Sequence, residues 1–355
     1  MSDPQQPEQA THSSTSGGIQ KNMGLRVVAI GGGTGLSTLL KGLKHHVAPT
    51  VERPLVTASS QPCERRISEL CAVVTVSDDG GSSGRLRRDF NMLPPGDIRN
   101  CIVAMSEDDA LLSRVFQHRF AKGSGLEGHS FGNLFLAALT SITSDFSEAV
   151  RLSSEILATR GRIYPATASN VELEALMDDG TRVRGESKIT ASKGRIRELC
   201  LIPENVEPLK ETLEAIARAD LITIGPGSLF TSLIPNLLVR GISQAIVNSP
   251  AVKVYVCNLM TQANESLGRT ASDHIRALDD HAQQPIFDYA LINRTPASDQ
   301  LKARYSKEGA TEIVVDLEAV KALGVEPILG DYLVEGETAR HDTDRVALDL
   351  LRLAH

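Results

Sequence analysis

A cluster of glycines joins an apolar run to a helical pattern near the start of the chain. Residues 27–30 have the continuous apolar character of a strand buried on both faces, and leucines recur at helical spacing from Leu36 onward. The glycines therefore form a strand-to-helix turn, where unpaired backbone N–H groups and the helix dipole favour an anion. A tight turn without a ligand is the alternative. The pattern predicts a phosphate site at Gly32, Gly33, Thr34, Gly35 and Leu36.

The spacing of this glycine cluster excludes two common phosphate loops. A dinucleotide-binding fingerprint needs glycine or alanine three residues after its second glycine, and that position, counted from Gly31 and Gly33, holds Leu36. A Walker loop needs the order Gly-Lys-Ser/Thr, and the first lysine after the cluster is Lys41. A phosphate at this loop must therefore be bound by a motif that is neither a dinucleotide-binding fingerprint nor a Walker loop.

A second loop of the same kind follows the apolar run of residues 221–224, and a helical pattern follows the loop. Either loop alone is an ordinary turn. If the sheet brings the two loops together, they can hold the two ends of a diphosphate. The expected ligand contacts in this second loop are Gly225, Pro226, Gly227 and Ser228.

Adjacent carboxylates follow a third apolar run, residues 71–76. Asp78 and Asp79 precede a group of glycines, and Ser82 lies in the same loop. Carboxylates at a strand end can coordinate Mg²⁺ or accept hydrogen bonds from the hydroxyls of a sugar or ribose. We expect a ligand site here, with Asp78 and Asp79 as metal ligands and Mg²⁺ as the one cofactor that the residues suggest. The alternative is a solvated turn with a helix N-cap.

Polar residues at the starts of two further helical patterns are also candidates. Asp97 can cap the helix that follows a Pro-Pro-Gly turn, and for Arg99 a ligand role and a surface ion pair are both open. His129, Ser130 and Asn133 open a helix that is apolar almost all round, so they are either capping groups or the lining of a cleft. A lone histidine in this position is more often structural than a general base, and no catalytic residue is predicted.

Composition restricts the class of partner. The chain has 355 residues, a net charge of −7 and a pI near 5.8, which argues against a nucleic-acid surface. Its five cysteines are scattered, which indicates a reducing compartment and no structural zinc. No apolar run reaches the roughly 18–20 residues of a membrane span, and no signal peptide is visible. We expect a cytoplasmic protein that neither inserts into a membrane nor binds nucleic acid.

Apolar runs alternate with helical patterns along most of the chain, which predicts an α/β fold with a Rossmann-like, doubly wound, mostly parallel sheet. The strands expected after the first are residues 71–76, 221–224, 252–257, 289–292 and 313–315. A disordered tail at residues 1–24 precedes a single α/β domain, residues 25–355. Within that domain we expect a surface insertion at residues 45–70, a helical segment at residues 97–160, and a small β-rich insertion at residues 162–206.

Seven motifs in order carry a resemblance to a known family: IGGGTGLSTLLKGLK, VTVSDDGGSSGRLR, LPPGDIRNC, GHSFGNLFLAAL, GPGSLFTSLIPNLLV, CNLMTQ and RYSKEGA. The chain resembles the YvcK family, the gluconeogenesis factors that bind UDP-sugars, which lies in a larger group with 2-phospho-lactate transferase (CofD). The resemblance extends from about Arg26 to the C-terminal helix. It implies UDP-N-acetylglucosamine as ligand, and a cytoplasmic role that links gluconeogenic growth to cell-wall synthesis and cell shape.

The resemblance also assigns residues to the ligand cleft, and the sequence departs from it in two places. Residues 45–70 interrupt a connection that is usually direct in the family. Arg269 stands where the family has a tyrosine, and it can stack on a base or bind phosphate instead, which leaves the preferred sugar open. The residues that the resemblance places in the cleft are Gly32, Gly33, Thr34, Gly35, Asp78, Asp79, Asn133, Gly225, Pro226, Gly227, Ser228, Asn258 and Thr261.

Two functions remain open at this point. One is a regulatory protein, expected as a homo-oligomer, in which a UDP-sugar or related nucleotide diphosphate shifts the affinity for a protein partner. The other is a Mg²⁺-dependent transferase of phosphorus-containing groups, resembling 2-phospho-lactate transferase. The sequence shows no nucleophile–base pair, which favours binding over catalysis.

Overall fold

The computed structural model describes residues 24–48, 67–107, 110–192, 194–263 and 265–354. Strands and helices alternate through these ranges, and we number each kind along the chain. The strands are β1 (Leu25–Gly31), β2 (Ile67–Val74), β3 (Arg162–Pro165), β4 (Glu172–Met177), β5 (Arg182–Arg184), β6 (Ile196–Ile202), β7 (Leu221–Ile224), β8 (Val252–Val256), β9 (Tyr289–Asn293), β10 (Glu326–Gly330), β11 (Leu333–Glu335) and β12 (Ala339–His341).

The helices include a 3₁₀ turn at Lys44–His46 and a π-helical turn at Leu229–Leu233. The α-helices are α1 (Gly33–Leu43), α2 (Gly81–Phe90), α3 (Gly96–Met105), α4 (Ala110–Gln117), α5 (Phe131–Thr143), α6 (Phe146–Ile156), α7 (Glu186–Ala191), α8 (Lys210–Arg218), α9 (Ile234–Leu238), α10 (Ile242–Asn248), α11 (Ala271–Ala282), α12 (Asp299–Ser306), α13 (Leu317–Ala322) and α14 (Thr343–Leu353).

The central sheet has the order β10-β9-β8-β7-β1-β2-β3, and every neighbouring pair of strands is parallel. From β1 the chain builds β2 and β3 on one side, and later adds β7 to β10 on the other. The strand order therefore reverses between β1 and β7, where a parallel sheet opens a crevice at its carboxyl edge. Ile30 pairs with Ile224, so the two strands end level with each other. The predicted Rossmann-like, doubly wound α/β fold is confirmed.

Burial on both faces explains the apolar character of the central strands. Val27, Val28, Ala29 and Ile30 are almost fully buried, as are the four residues of β7. Leucines of α1 pack into the same core, and α1 also contacts α3 and α14. This packing fixes the end of β1, and the pairing of β7 with β1 fixes the end of β7, so the loops that follow these strands have well-defined positions.

A separate three-stranded antiparallel sheet, in the order β5-β4-β6, forms the insertion between β3 and α8. We call residues 172–202, which comprise β4, β5, α7 and β6, the β-insertion. The predicted range of residues 162–206 was too long, because β3 pairs in parallel with β2 and belongs to the central sheet. This short edge strand begins with arginine and ends with proline, so it lacks the pattern of a buried strand.

Three other predicted boundaries differ from the structure. The predicted insertion at residues 45–70 overlaps β2, because residues 67–70 belong to that strand, where Ser68 faces outward and breaks the apolar run. Residues 49–66 of this insertion lie outside the described ranges. Residues 1–23 of the predicted tail lie outside them as well. Residues 313–315 form only isolated bridges, and Val314 is 61% exposed. The edge strand is β10 instead, which starts with Glu326 and Pro327. The predicted helical segment contains α3 to α6, with a loop at residues 118–130.

One test of helix length and composition bears on the expected absence of a membrane span. Among the described residues, no single helix is both long enough and apolar enough to cross a bilayer. The pair Leu229–Leu238 and Ile242–Asn248 meets the threshold only when its two parts are joined across an 80° bend.

Candidate functional site

The two predicted glycine loops touch each other at the crevice between β1 and β7. A Cβ atom added to Gly35 would lie 2.2 Å from the carbonyl oxygen of Pro226 and 2.8 Å from the Cα of Gly227. No side chain fits in that space, so the close approach of the two backbones requires glycine at position 35. The sheet thus joins two segments that the sequence could only identify separately.

Helix α1 starts inside this contact. Its N-cap is Gly32, which offers no capping side chain, and Gly33 has a φ of +59°, a conformation that favours glycine. Thr34 is exposed beside them. The N–H groups of this first turn form the positive end of the helix dipole and are suited to an anion. Leu36 differs from its neighbours, because its side chain is fully buried in the core and only its backbone lies near the loop.

Asn258 holds the second loop in place. Its Nδ2 donates to the carbonyl of Gly227 at 2.8 Å, and its Oδ1 accepts from the Gly227 N–H at 3.1 Å. Both ends of the amide are therefore engaged by one residue, and Asn258 shapes the loop. Beside it, Gln262 donates through Nε2 to the Ser228 hydroxyl at 2.7 Å, while its buried Oε1 has no hydrogen-bond partner among the described residues. Gln262 thus presents an acceptor next to the second loop.

The two predicted metal ligands face different surroundings. Asp78 accepts the N–H of Gly80 through Oδ1, and its Oδ2 lies beside Gly96 at the start of α3. Asp79 turns the other way: its Oδ1 accepts both the N–H and the hydroxyl of Ser187, at 2.9 and 2.6 Å, in the first turn of α7. Asp78 therefore lies beside the crevice, whereas Asp79 attaches the β-insertion to the loop after β2.

Asp97 is a site residue that sequence reasoning interpreted only as a helix cap. The N-cap of α3 is Pro95, and the Asp97 carboxyl reaches the glycine loop, where it accepts a hydrogen bond from the Gly33 N–H. Its Oδ2 lies 2.9 Å from the position that a Cβ of Gly32 would occupy. Burial raises the pKa of Asp97 to about 7, and the neighbouring charge of Asp78 acts in the same direction. A carboxyl group that titrates near neutrality therefore lies at the N-terminus of α1.

Ser82, His129 and Asn133 form a buried network where α2 and α5 begin. The Asn133 Nδ2 donates to the Ser82 hydroxyl at 3.1 Å, and that oxygen lies 2.9 Å from Nδ1 of His129. Burial lowers the pKa of His129, and the nearby Arg85 charge lowers it further, so the imidazole is neutral at pH 7. Ser130 caps α5 by accepting the Asn133 N–H. The structure thus contains a hydroxyl–imidazole pair that the sequence did not reveal.

Thr261 and Arg269 are turned away from the glycine loops. The buried Thr261 hydroxyl accepts the N–H of Thr311 at 2.8 Å, so it joins two connecting segments. The Arg269 guanidinium lies over the Phe230 ring, 5.0 Å from its centroid, and donates to the carbonyl of Ile196 at 2.9 Å. The residue that replaces the family's tyrosine therefore attaches the start of β6 to the segment that follows β7.

The described residues bring most of the predicted site to the crevice, and several of them support it indirectly. The backbone of Gly32 to Gly35, the loop from Gly225 to Ser228, and Asp78 border the crevice. Asn258 shapes its wall, and Ser82 and Asn133 are bonded to each other beside it. The residues that make contacts elsewhere are Leu36, Asp79, Thr261 and Arg269.

Comparison with known proteins gives the same fold and a family. The family model of the 2-phospho-L-lactate transferase CofD matches residues 27–333. The gluconeogenesis factor of Halalkalibacterium halodurans is 47% identical over 327 residues, which cover 92% of this chain and 95% of that protein. The gluconeogenesis factor of Bacillus subtilis is 46% identical over 332 residues, with coverages of 92% and 98%. A crystal structure of a UPF0052 protein from Bacillus halodurans matches with a TM-score of 0.84 at 47% identity, covering 93% of this chain and 100% of that one. The chain therefore belongs to the CofD family and, within it, to the gluconeogenesis factors.

Proposed function

We propose that this gluconeogenesis factor binds a UDP-sugar, with UDP-N-acetylglucosamine as the expected ligand, and acts as a regulatory protein. The observation that carries the proposal is the contact of Gly35 with Pro226 and Gly227 at the crevice. It places the N-terminus of α1, where Asp97 engages only the Gly33 N–H, beside a second glycine loop, an arrangement suited to the two phosphates of a nucleoside diphosphate. In this proposal the diphosphate lies along the two loops, and the uridine lies toward Gln262, whose unpartnered Oε1 can accept the N3–H of uracil.

The acidic residues around the crevice bear on the expected Mg²⁺. A diphosphate in the crevice would lie near three acidic side chains, Asp78, Asp97 and Glu186. Burial raises the pKa of both Asp97 and Glu186, which favours their neutral forms. Among the described residues, no three His, Cys, Asp or Glu side chains are grouped so that they hold a metal by themselves. Magnesium often binds through one carboxylate together with substrate phosphates and water, and Asp78 suits that role. Asp79 is already engaged by Ser187. We therefore propose Asp78 as the protein ligand of a Mg²⁺ that arrives with the diphosphate.

The β-insertion supplies an element through which binding can regulate a partner. Asp79 belongs to the loop that borders the crevice, and its carboxylate holds Ser187 of the β-insertion. A ligand that binds differently to the attached and detached states shifts the balance between them, and a protein that recognises one state then responds to the ligand. We propose this coupling for a cytoplasmic homo-oligomer that links carbon metabolism to cell-wall synthesis and cell shape.

Thermal unfolding and calorimetry test the binding proposal. The purified chain is titrated with UDP-N-acetylglucosamine, UDP-glucose, GDP, GTP and NAD, each with and without Mg²⁺. Saturation at 100 times the dissociation constant should add about 2.7 kcal/mol to the free energy of unfolding, seen as an upward shift of the melting temperature. Asn258→Ala should weaken binding about tenfold because it releases the second loop, whereas Asn248→Ala, an exposed asparagine on α10, should not. The absence of any shift with UDP-sugars would refute the proposal.

A transferase activity is the second candidate, because the Ser82 hydroxyl lies 2.9 Å from the neutral His129 imidazole. Such a pair can accept a proton from an attacking hydroxyl, and phosphoryl transfer otherwise depends mainly on positioning and charge. The test incubates the protein with UDP-N-acetylglucosamine or GTP, Mg²⁺ and an acceptor with a free hydroxyl, such as lactate, and follows the phosphorylated acceptor together with the nucleotide that leaves. Unchanged nucleotide after binding supports the regulatory function. A product that depends on His129 supports the transferase.

A further inference from the structure

Three arginines beside the crevice make no ion pair with a carboxylate within the described ranges. Arg85 lies on α2, Arg99 on α3, and Arg119 in the loop between α4 and α5. We call these three residues the arginine cluster. Other described arginines, among them Arg87 and Arg269, also bond to backbone carbonyls rather than to a carboxylate, so what sets these three apart is that they meet around one loop. Their location beside a ligand crevice calls for a functional explanation.

The loop at residues 118–130 gathers the cluster. Arg85 donates through Nη2 to the carbonyl of Glu127 at 2.6 Å, and Arg119 donates through Nη1 to the carbonyl of Gly128 at 2.5 Å. Two guanidinium groups therefore bind consecutive carbonyls of one loop. The methylene groups of Arg99 lie against Gly132 at the start of α5, where an added Cβ would come within 2.9 Å of them. Three elements thus direct positive charge to one region.

The cluster also contains an unused donor. The Arg99 Nη2 donates to Asn100, but its Nε is buried and has no acceptor among the described residues. A buried N–H of a charged group without an acceptor is costly, so such groups in native proteins usually have a water, ion or ligand as partner. An anionic group can supply the missing acceptor, and a guanidinium binds carboxylate or phosphate through two parallel hydrogen bonds.

Electrostatics favour the same kind of occupant. Burial lowers the pKa of Arg99, and the next largest influence is the positive charge of Arg119, which lowers it further. Asp97 and Asp78 act in the opposite direction, each more weakly than Arg119. The charges of Arg85 and Arg119 likewise lower the pKa of the buried His129, while Asp89 raises it. An anion in the cluster would relieve this repulsion between like charges.

We propose that the arginine cluster is a second subsite, which binds a phosphate or carboxylate group separate from the diphosphate held by the glycine loops. Asp97 connects the two subsites, since it touches Gly33 and lies two positions before Arg99 on α3. The anionic group has two possible sources. It is either a free small anion or a charged substituent at the sugar end of the nucleotide ligand.

Calorimetry with two probes distinguishes these sources. Inorganic phosphate is titrated into the protein in the presence and absence of UDP-glucose. UDP-glucose is then compared with UDP-glucuronic acid, which carries a carboxylate in place of the C6 hydroxymethyl group. The double variant Arg99→Gln/Arg119→Gln removes the cluster charge, and Arg114→Gln, an exposed arginine on α4, is the control. Thermal unfolding and the single variant Arg99→Lys show whether the variants fold and whether charge alone suffices.

We expect the wild-type protein to bind phosphate saturably, or to prefer UDP-glucuronic acid over UDP-glucose about tenfold, as one charge-assisted hydrogen-bond pair allows. The double variant should lose either effect, and the control should keep it. Phosphate binding alone would identify a free anion as the source of the anionic group. A preference for UDP-glucuronic acid would identify the sugar end of the nucleotide as its source. If neither effect occurs, or if either survives in the double variant, the proposal is wrong. Cluster-dependent phosphate binding without any UDP-sugar binding would instead refute the proposed function and leave this inference standing.

Discussion

Two regions next to the crevice are held by different kinds of contact. The loops after β1 and β7 meet through backbone packing, with Gly35 against Pro226 and Gly227. The β-insertion packs apolar side chains such as Leu173, Ile189 and Leu199 into the common core, and hydrogen bonds from single side chains hold its margin. These bonds join Asp79 to Ser187, Arg87 to the carbonyl of Val171 next to β4, Arg269 to Ile196, and His281 to the N–H of Leu199.

The difference indicates which region can move. Close backbone packing leaves no intermediate position, because any displacement opens a void or creates an overlap. A hydrogen bond contributes only about 1 kcal/mol to stability, and each one can open independently. We therefore expect the glycine loops to stay fixed while the hydrogen-bonded margin of the β-insertion opens locally, with its apolar side chains still in the core. The following predictions test that contrast, beginning with the largest effect.

Gly35→Val should be the most damaging substitution. Its side chain would overlap the Pro226 carbonyl, where even a Cβ comes within 2.2 Å, and overpacking of this kind costs about 3 kcal/mol. Chemical denaturation measures the loss in the free energy of unfolding. Gly336→Val is the control, because a Cβ at this position would have its nearest neighbour, the Thr338 carbonyl oxygen, 3.7 Å away. This substitution should change the free energy of unfolding by less than about 0.5 kcal/mol. Similar effects at the two positions would show that the loops are not tightly packed.

Asp79→Ala should loosen the first turn of α7 without unfolding the central sheet, because Ile189 of the same helix stays buried in the core. The substitution removes two hydrogen bonds to Ser187, including the one to its backbone N–H, which costs about 1–2 kcal/mol. Hydrogen exchange should accelerate in α7 and β5 but not in β1. Asp89→Ala, on the exposed face of α2, should leave both regions unchanged. Faster exchange throughout the central sheet would contradict the separation of the two regions.

Arg269→Lys should loosen β6 by about 1 kcal/mol, because lysine keeps the charge but loses the planar stacking on Phe230 and the fixed bond to Ile196. Hydrogen exchange of β6 measures the change, and Arg276→Lys, an exposed position on α11, is the control. The affinity for UDP-N-acetylglucosamine should change less than twofold if Arg269 serves only the β-insertion. A tenfold loss with unchanged exchange would instead assign Arg269 to the nucleotide.

A pH effect at His281 should be the smallest of the four. Its Nε2 accepts the Leu199 N–H at 3.0 Å, which requires the neutral ring, and burial lowers its pKa below the ordinary value of 6.5. Glu198 and Asp280 oppose that shift, and Arg269 adds to it. The stabilisation is therefore complete above about pH 6.5 and is lost as the pH falls through the lower folded-state pKa. Exchange at Leu199, corrected for its intrinsic rate, should rise between pH 7 and 5. The rise should persist in His45→Gln and vanish in His281→Gln.

The local parts of the site were predictable because strand, glycine and helix follow one another directly in the sequence. The contact between Gly35 and Pro226 was not, since it depends on β7 lying next to β1, and no short-range pattern specifies that order. Asp79 was identified as a polar residue after a strand and Arg269 only through the family resemblance, but their partners Ser187 and Ile196 belong to the β-insertion, which the sequence did not position. Asp97 was interpreted as a cap because it follows a turn, whereas its carboxyl points back to the glycine loop.

The edge strands were missed for a related physical reason. β3 and β10 each have a neighbour on one side only, so selection for an apolar run is weak there, and each carries a charged first residue and a proline. The three-stranded sheet of the β-insertion was detected by its alternation, which is typical of strands with one buried face. A strand was therefore predictable from the sequence when its burial produced a regular apolar pattern, whatever the length of the strand.

The strand order has a consequence for synthesis of the chain on the ribosome. The partner of β1 on its second edge is β7, and the neighbouring ion pair between Arg26 and Asp220 joins positions 194 apart. Until Leu221–Ile224 has emerged, β1 has an unpaired edge although most of its residues are apolar, and such an edge is a template for aggregation. Nascent chains shorter than this should therefore depend on chaperones, and the crevice between β1 and β7 can form only late in translation.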